Sequence, residues 1–88
     1  MDQLTPEEVE RIKNIVEMYR YLKDLLIYSE ELEIDTFLPA INEIRDAFDH
    51  LMRVFAVKNG LKEENDGYEM RNLDASFDHI YRATYEMA

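Results

Sequence analysis

Arg45, Asp46 and His50 stand close together in the chain, and their types could carry phosphate chemistry. An arginine presents a planar fork of donors that grips phosphate and stabilises the charge developing during its transfer. A histidine titrates near neutrality and can act as general acid or base, for instance when a ribose 2′-hydroxyl attacks the adjacent phosphorus. Asp46, one helical turn before His50, is spaced to orient its ring. The chemistry open to this trio is acid–base cleavage of a phosphodiester. The plainer use of the same residues is structural. Arg45, Asp49 and Arg53 make a ladder of surface ion pairs worth about 0.3–0.5 kcal/mol each, and His50 packs and hydrogen-bonds at an interface.

Other chemistries find less support. The chain has no cysteine, which removes disulfides, thiolate nucleophiles and zinc fingers together. Ser29 and Ser76 fall in helical segments without a triad context. Gly60 and Gly67 are the only glycines, so no phosphate-cradling loop exists. Asp46 and His50 are four apart and Glu43 is two turns before His50, but the Glu-x-x-His pairs of di-iron bundles are absent. No metal and no cofactor are expected.

Ten basic residues face twenty acidic ones in the 88-residue chain, a formal net charge of −10. Such a surface repels nucleic acid, so DNA is not an expected partner and RNA only if the trio is catalytic. The acidity reads as a solvated surface, or as the complement of a basic partner. No apolar run approaches the roughly 18–20 residues a bilayer needs, and Met1-Asp2-Gln3-Leu4 lacks the start of a secretory signal. A cytoplasmic protein, with no membrane association, is expected.

Two glycines and two prolines leave room for long helices and few turns. Thr5-Pro6-Glu7-Glu8 is a capping box with proline at the first helical position. A second start falls at Asp35-Thr36, with Pro39 in the first turn, and Asn59-Gly60 is a stop. The expected fold is all-α: one domain over 1–88 with helices at about 5–30, 36–58 and 67–87. These form an antiparallel bundle completed by a dimer partner or a missing fourth helix. The third helix reaches the last residue without a stop signal, as expected of a piece of a longer protein or of a helix that frays.

Each of the first two helices carries two apolar stripes. The main ones are Val9, Ile12, Val16, Tyr19, Leu22 and Leu26, then Ile41, Ile44, Phe48, Leu51, Met52 and Phe55. On the third helix Leu73, Phe77, Ile80, Tyr81 and Thr84 share a side. The second stripes are Met18, Tyr21, Leu25 and Tyr28 on the first helix, and Ala47, His50, Val54 and Val57 on the second. Three helices enclose one narrow core, so the second stripes are expected to form an interface with another copy or a protein partner.

The chain also repeats itself. Phe48-Asp49-His50-Leu51-Met52-Arg53 matches Phe77-Asp78-His79-Ile80-Tyr81-Arg82 at an offset of 29, with Phe, Asp, His and Arg identical. Packed antiparallel, the two helices would present the motif twice in one hairpin. Each Phe would then anchor the core, and each Asp would pair with the Arg four residues on.

The segment Arg45-Asp46-Ala47-Phe48-Asp49-His50 resembles the HEPN superfamily, all-α domains of prokaryotic defence and toxin–antitoxin systems and of some eukaryotic ribonucleases. Its hallmark is an Arg, a polar residue and, a few residues on, a His. The resemblance covers mainly the second helix. In catalytic members the Arg and His of two protomers face each other across a dimer and cut RNA without metal. By that resemblance Arg45, Asp46 and His50 would be catalytic; many relatives have lost catalysis and serve as dimerising modules. The second copy departs from the pattern, since Asp74 stands where Arg45 does. The resemblance thus implies a non-catalytic association module, with a metal-independent endoribonuclease as the alternative. An acidic antitoxin or inhibitor of a basic partner is a third reading.

Overall fold

The computed structural model describes residues 3–28 and 34–87, apart from the side chains of residues 28 and 34–36. It is all-α, with α1 at Pro6–Tyr28, α2 at Ile34–Lys58 and α3 at Tyr68–Met87. Among the described residues no helix is long and apolar enough to cross a membrane.

The helix ends follow the local chemistry. Glu8 N–H donates to Thr5 Oγ at 3.1 Å while Thr5 N–H donates to Glu8 Oε1 at 2.7 Å, which closes the capping box. At the end of α2, Leu61 N–H reaches the Ala56 carbonyl at 2.9 Å and Gly60 N–H the Val57 carbonyl at 3.0 Å. That is a Schellman cap, and Gly60 supplies its left-handed residue with φ of 74°. α2 starts earlier than Asp35-Thr36 implies, and Pro39 sits inside it.

α3 is the central element. α2 packs along it antiparallel and α1 along it parallel, while the α1 and α2 backbones do not approach one another. The core joins Ile15 and Leu22 of α1, Ala40, Ala47 and Val54 of α2, and Leu73, Ile80 and Ala83 of α3. Fully burying a side chain such as Leu22, Leu73 or Val54 contributes about 1.5–3 kcal/mol. On α2 the buried apolar positions repeat every seven residues and two of the three are alanine, so the α2 and α3 backbones come close.

This overturns the division into stripes. Ala47 and Val54, expected at an interface, lie in the chain's own core, and Val57 and His50 are half-buried beside them. The bulky main stripe of α2 is partly open, with Phe48 61% exposed and Ile41 and Met52 also exposed, while Ile44, Leu51 and Phe55 are half-buried. On α1, Val9, Val16 and Tyr19 are exposed while Leu22 is buried; of the second stripe, Met18 and Leu25 are half-buried and Tyr21 is exposed. Tyr28, the fourth residue of that stripe, has its side chain outside the described residues. On α3, Leu73, Ile80 and Thr84 are buried as expected, but Tyr81 is exposed. The physical reason is size. Small side chains permit the closest helix approach, so they occupy the seam and leave the large ones at its rim.

One lysine ties the three helix ends together. Lys58 Nζ, in the last turn of α2, lies 2.9 Å from Glu8 Oε1 and 3.4 Å from Glu69 Oε2, in the first turns of α1 and α3. It also donates to the Gln3 carbonyl at 3.2 Å, and the residue is only 6% exposed. Each charge sits where the helix dipole favours it. The hydrogen bond to Glu8 raises the Lys58 pKa above the ordinary lysine value, against the opposing effect of burial. Burial pushes the Glu8 carboxyl up, but the Thr5 N–H and the Lys58 ammonium together hold it below the ordinary carboxylate value.

Candidate functional site

The repeat at offset 29 has a counterpart in space. Ser76 Oγ donates to the Ala47 carbonyl at 2.9 Å, and these two residues are themselves 29 apart. A pseudo-two-fold axis through that contact exchanges α2 with α3 and each residue with its repeat mate. His50 and His79 are such mates. Their rings stack across the seam with centroids 5.2 Å apart and planes 17° from parallel.

The axis also relates position 43 to position 72, and here the halves differ. Asn72 is buried, and its Nδ2 donates to the Tyr68 carbonyl at 2.9 Å, which turns its Oδ1 toward His50. His50 Nδ1 therefore donates to Asn72 Oδ1, at 2.8 Å. On the other side stands Glu43, whose Oε2 lies 3.4 Å from His79 Nδ1. Arg82 approaches both of those atoms, its Nε 3.0 Å from Glu43 Oε2 and its Nη2 3.2 Å from His79 Nδ1. A guanidinium can only donate and a carboxylate only accept, so the tautomer of His79 decides which bond Nδ1 makes, a lone pair toward Arg82 or an N–H toward Glu43. Both Glu43 Oε2 and His79 Nδ1 thus lie beside one cation. Asp46 joins them, because Glu43, Asp46 and His79 can each present one atom within 4.8 Å of the others.

The trio Arg45, Asp46 and His50 does not converge. Arg45 and His50 are five residues apart on α2, about 140° around the helix. The Arg45 side chain is 74% exposed and meets only Asp46, at 3.8 Å. His50 faces the α2–α3 seam, held by Asn72 rather than by Asp46. The expected ladder is half present: Asp49 pairs with Arg53 at 2.7 Å, while Arg45 turns to Asp46. In the second copy of the motif Arg82 bonds Glu43 and His79, with no pair to Asp78 among the described ion pairs. Phe77 is a half-buried anchor, whereas Phe48 is not buried.

The other outstanding feature is a groove of about 230 Å³ between α1 and α2, floored by α3. Ile15, Val16 and Tyr19 form one wall, Ile44, Phe48 and Leu51 the other, and Ile80 lies at its base. The pseudo-symmetry explains it. α1 packs over α3 beside Asp74, Phe77 and Tyr81, where Arg11 pairs with Asp74 at 2.8 Å and its guanidinium lies 5.5 Å from the Phe77 ring centre. The repeat mate of Phe77 is Phe48 on α2, which is 61% exposed, and among the described residues no helix covers it.

Glu43 enters the sequence reading only beside Asp46 and His50, and His79 and Arg82 only as the second copy of the repeat; Asn72 carries no local motif. The repeat held the signal, since it pairs His50 with His79 and position 43 with 72. No family model, no curated protein and no solved structure matches this chain.

Proposed function

We propose that the chain is a non-catalytic helical association module, of the kind its HEPN-like resemblance implies, and that it pairs with a second copy through the groove between α1 and α2. The observation that carries this reading is the apolar α2 face around Phe48, left open where its symmetry mate on α3 is covered by α1. Val9, Val16, Tyr19, Ile41, Phe48 and Met52 are each 39–61% exposed, and Val16, Tyr19 and Phe48 among them line the groove. A specific interface buries at least about 500 Å² on each copy. Exposed charges of both signs stand within a turn of the groove-lining residues, Lys13 and Arg20 beside Val16 on α1 and Arg45 and Asp49 beside Phe48 on α2. A second copy can therefore set rim charges of opposite sign against one another, despite a net charge of −10 on each chain. Six large side chains kept in water by one small domain are otherwise a cost to solubility.

Sedimentation velocity at tens of micromolar tests the reading, with a dimer as the expected species. Phe48→Glu is expected to give a monomer of unchanged helix content. A wild-type monomer at that concentration removes the proposal. Cleavage of single-stranded RNA in EDTA, abolished by His50→Ala, would replace it with the endoribonuclease.

A further inference from the structure

The Glu43, Asp46 and His79 cluster carries a second inference, independent of pairing. On α2, Glu43, Asp46 and His50 flank Ala47 on the side opposite Ile44 and Phe48, so the cluster lies on the edge of the α2–α3 seam away from the groove. We propose that it is a binding site for one borderline divalent transition-metal ion, Zn²⁺ being the probe, with Glu43 Oε2, His79 Nδ1 and an Asp46 carboxylate oxygen as ligands.

Four observations lead there. The ligand types are two carboxylates and one imidazole, a set suited to such ions rather than to softer or harder ones. The spacing is that of a chelate: Glu43 Oε2 and His79 Nδ1 are 3.4 Å apart, close to the separation of two atoms each about 2.0–2.2 Å from one zinc ion. The imidazole turns Nδ1, not Nε2, to the carboxylates, the atom a metal would take in its neutral form. Lastly, the place already holds a cation. The Arg82 guanidinium lies 3.0 Å from Glu43 Oε2 and 3.2 Å from His79 Nδ1, and its side chain is more than half exposed, free to swing into water. Arg82 thus competes with a metal for one position.

The neighbours hold the ligands in place. The His79 ring is stacked on His50, and His50 is fixed by Asn72. Both carboxylates project from α2 one turn apart, which sets their separation without a loop. The symmetry-related place has Asn72 in the position of Glu43 and Ala75 in that of Asp46. It has one imidazole and no carboxylate, so a single ion per chain is expected rather than two.

Calorimetric titration of the metal-free protein with Zn²⁺, and the visible spectrum with Co²⁺, test the proposal. One ion per chain is expected. Asp46→Asn, at a half-exposed position, and His79→Gln should each weaken binding at least tenfold, whereas Arg82→Ala should strengthen it several-fold by removing the competitor. Circular dichroism of each variant separates lost binding from lost fold. Wild type that takes up no Zn²⁺, or binding that survives His79→Gln but fails with His50→Gln, overturns the site. Repeating the titration on Phe48→Glu keeps this outcome apart from that of the pairing proposal, because the expected stoichiometry per chain is unchanged in the monomer.

Discussion

His50 and His79 lie face to face across the α2–α3 seam, and their Nδ1 atoms meet different partners. The nitrogen of His50 donates to Asn72, and that of His79 lies between Glu43 and Arg82. The difference comes from what stands at one pair of related positions, an amide in α3 and a carboxylate in α2. The seam is therefore polar along one edge and apolar through Ala47, Val54, Ile80 and Ala83.

Asn72 makes that edge a stability determinant. Asn72→Ala removes the acceptor from His50 and the donor from the Tyr68 carbonyl while leaving both groups partly enclosed. A loss of about 1–3 kcal/mol is expected from urea denaturation. An unchanged midpoint would mean that water replaces the amide without penalty.

Lys58 holds the three helix ends, and its removal should cost more than that of any surface ion pair. Lys58→Met leaves the Glu8 carboxylate enclosed without its counter-charge, a change expected to destabilise the fold by about 3 kcal/mol. Lys62→Met, at an exposed pair with Glu64, should leave the midpoint nearly unmoved.

The same knot sets a pH window. The Glu8 pKa is lowered in the folded chain, so its stabilising effect is present above the ordinary carboxylate value and is lost as pH falls through the lowered one. The Lys58 pKa is raised, so its effect is full below the ordinary lysine value and is lost as pH rises through the raised one. Thermal midpoints should hold between these limits and drop at both ends. In Glu8→Gln the acid drop should be shallower, and a curve identical to wild type would place the acid sensitivity elsewhere.

Two substitutions on α2 separate folding from pairing. Val54 is fully buried against α3 and Phe48 is in solvent. Val54→Glu should therefore abolish the cooperative transition seen by circular dichroism, and Phe48→Glu should leave it intact while shifting the sedimentation coefficient to that of a monomer. The opposite pattern would restore the Ala47–Val54 stripe as the interface.

Local signals in the sequence were legible because they act over a few residues. The Thr5–Glu8 box and the Asn59-Gly60 stop are complete within one turn, and both stand in the structure as read. The all-α class followed from the same kind of evidence. Which face each helix buries was not legible, because bulk misled: Phe48 and Met52 outweigh Ala47 on any hydrophobic scale, yet the small residue lets α3 come near. The partners of the histidines were hidden by distance along the chain, Glu43 from His79 by 36 residues and His50 from Asn72 by 22. Lys58 was hidden in the same way, since its carboxylates come from the starts of two other helices.

Identical chains that meet on an axis must place the same residue at both related positions. α2 and α3 are joined by a short loop, so each half is free to diverge. Position 45 holds an arginine where its counterpart at 74 is an aspartate, and position 43 a glutamate where 72 is an asparagine. Tandem fusion of two like helices thus lets the hairpin attach α1 by one half and keep the other half for a different task, a division of labour denied to a pair of separate, identical helices.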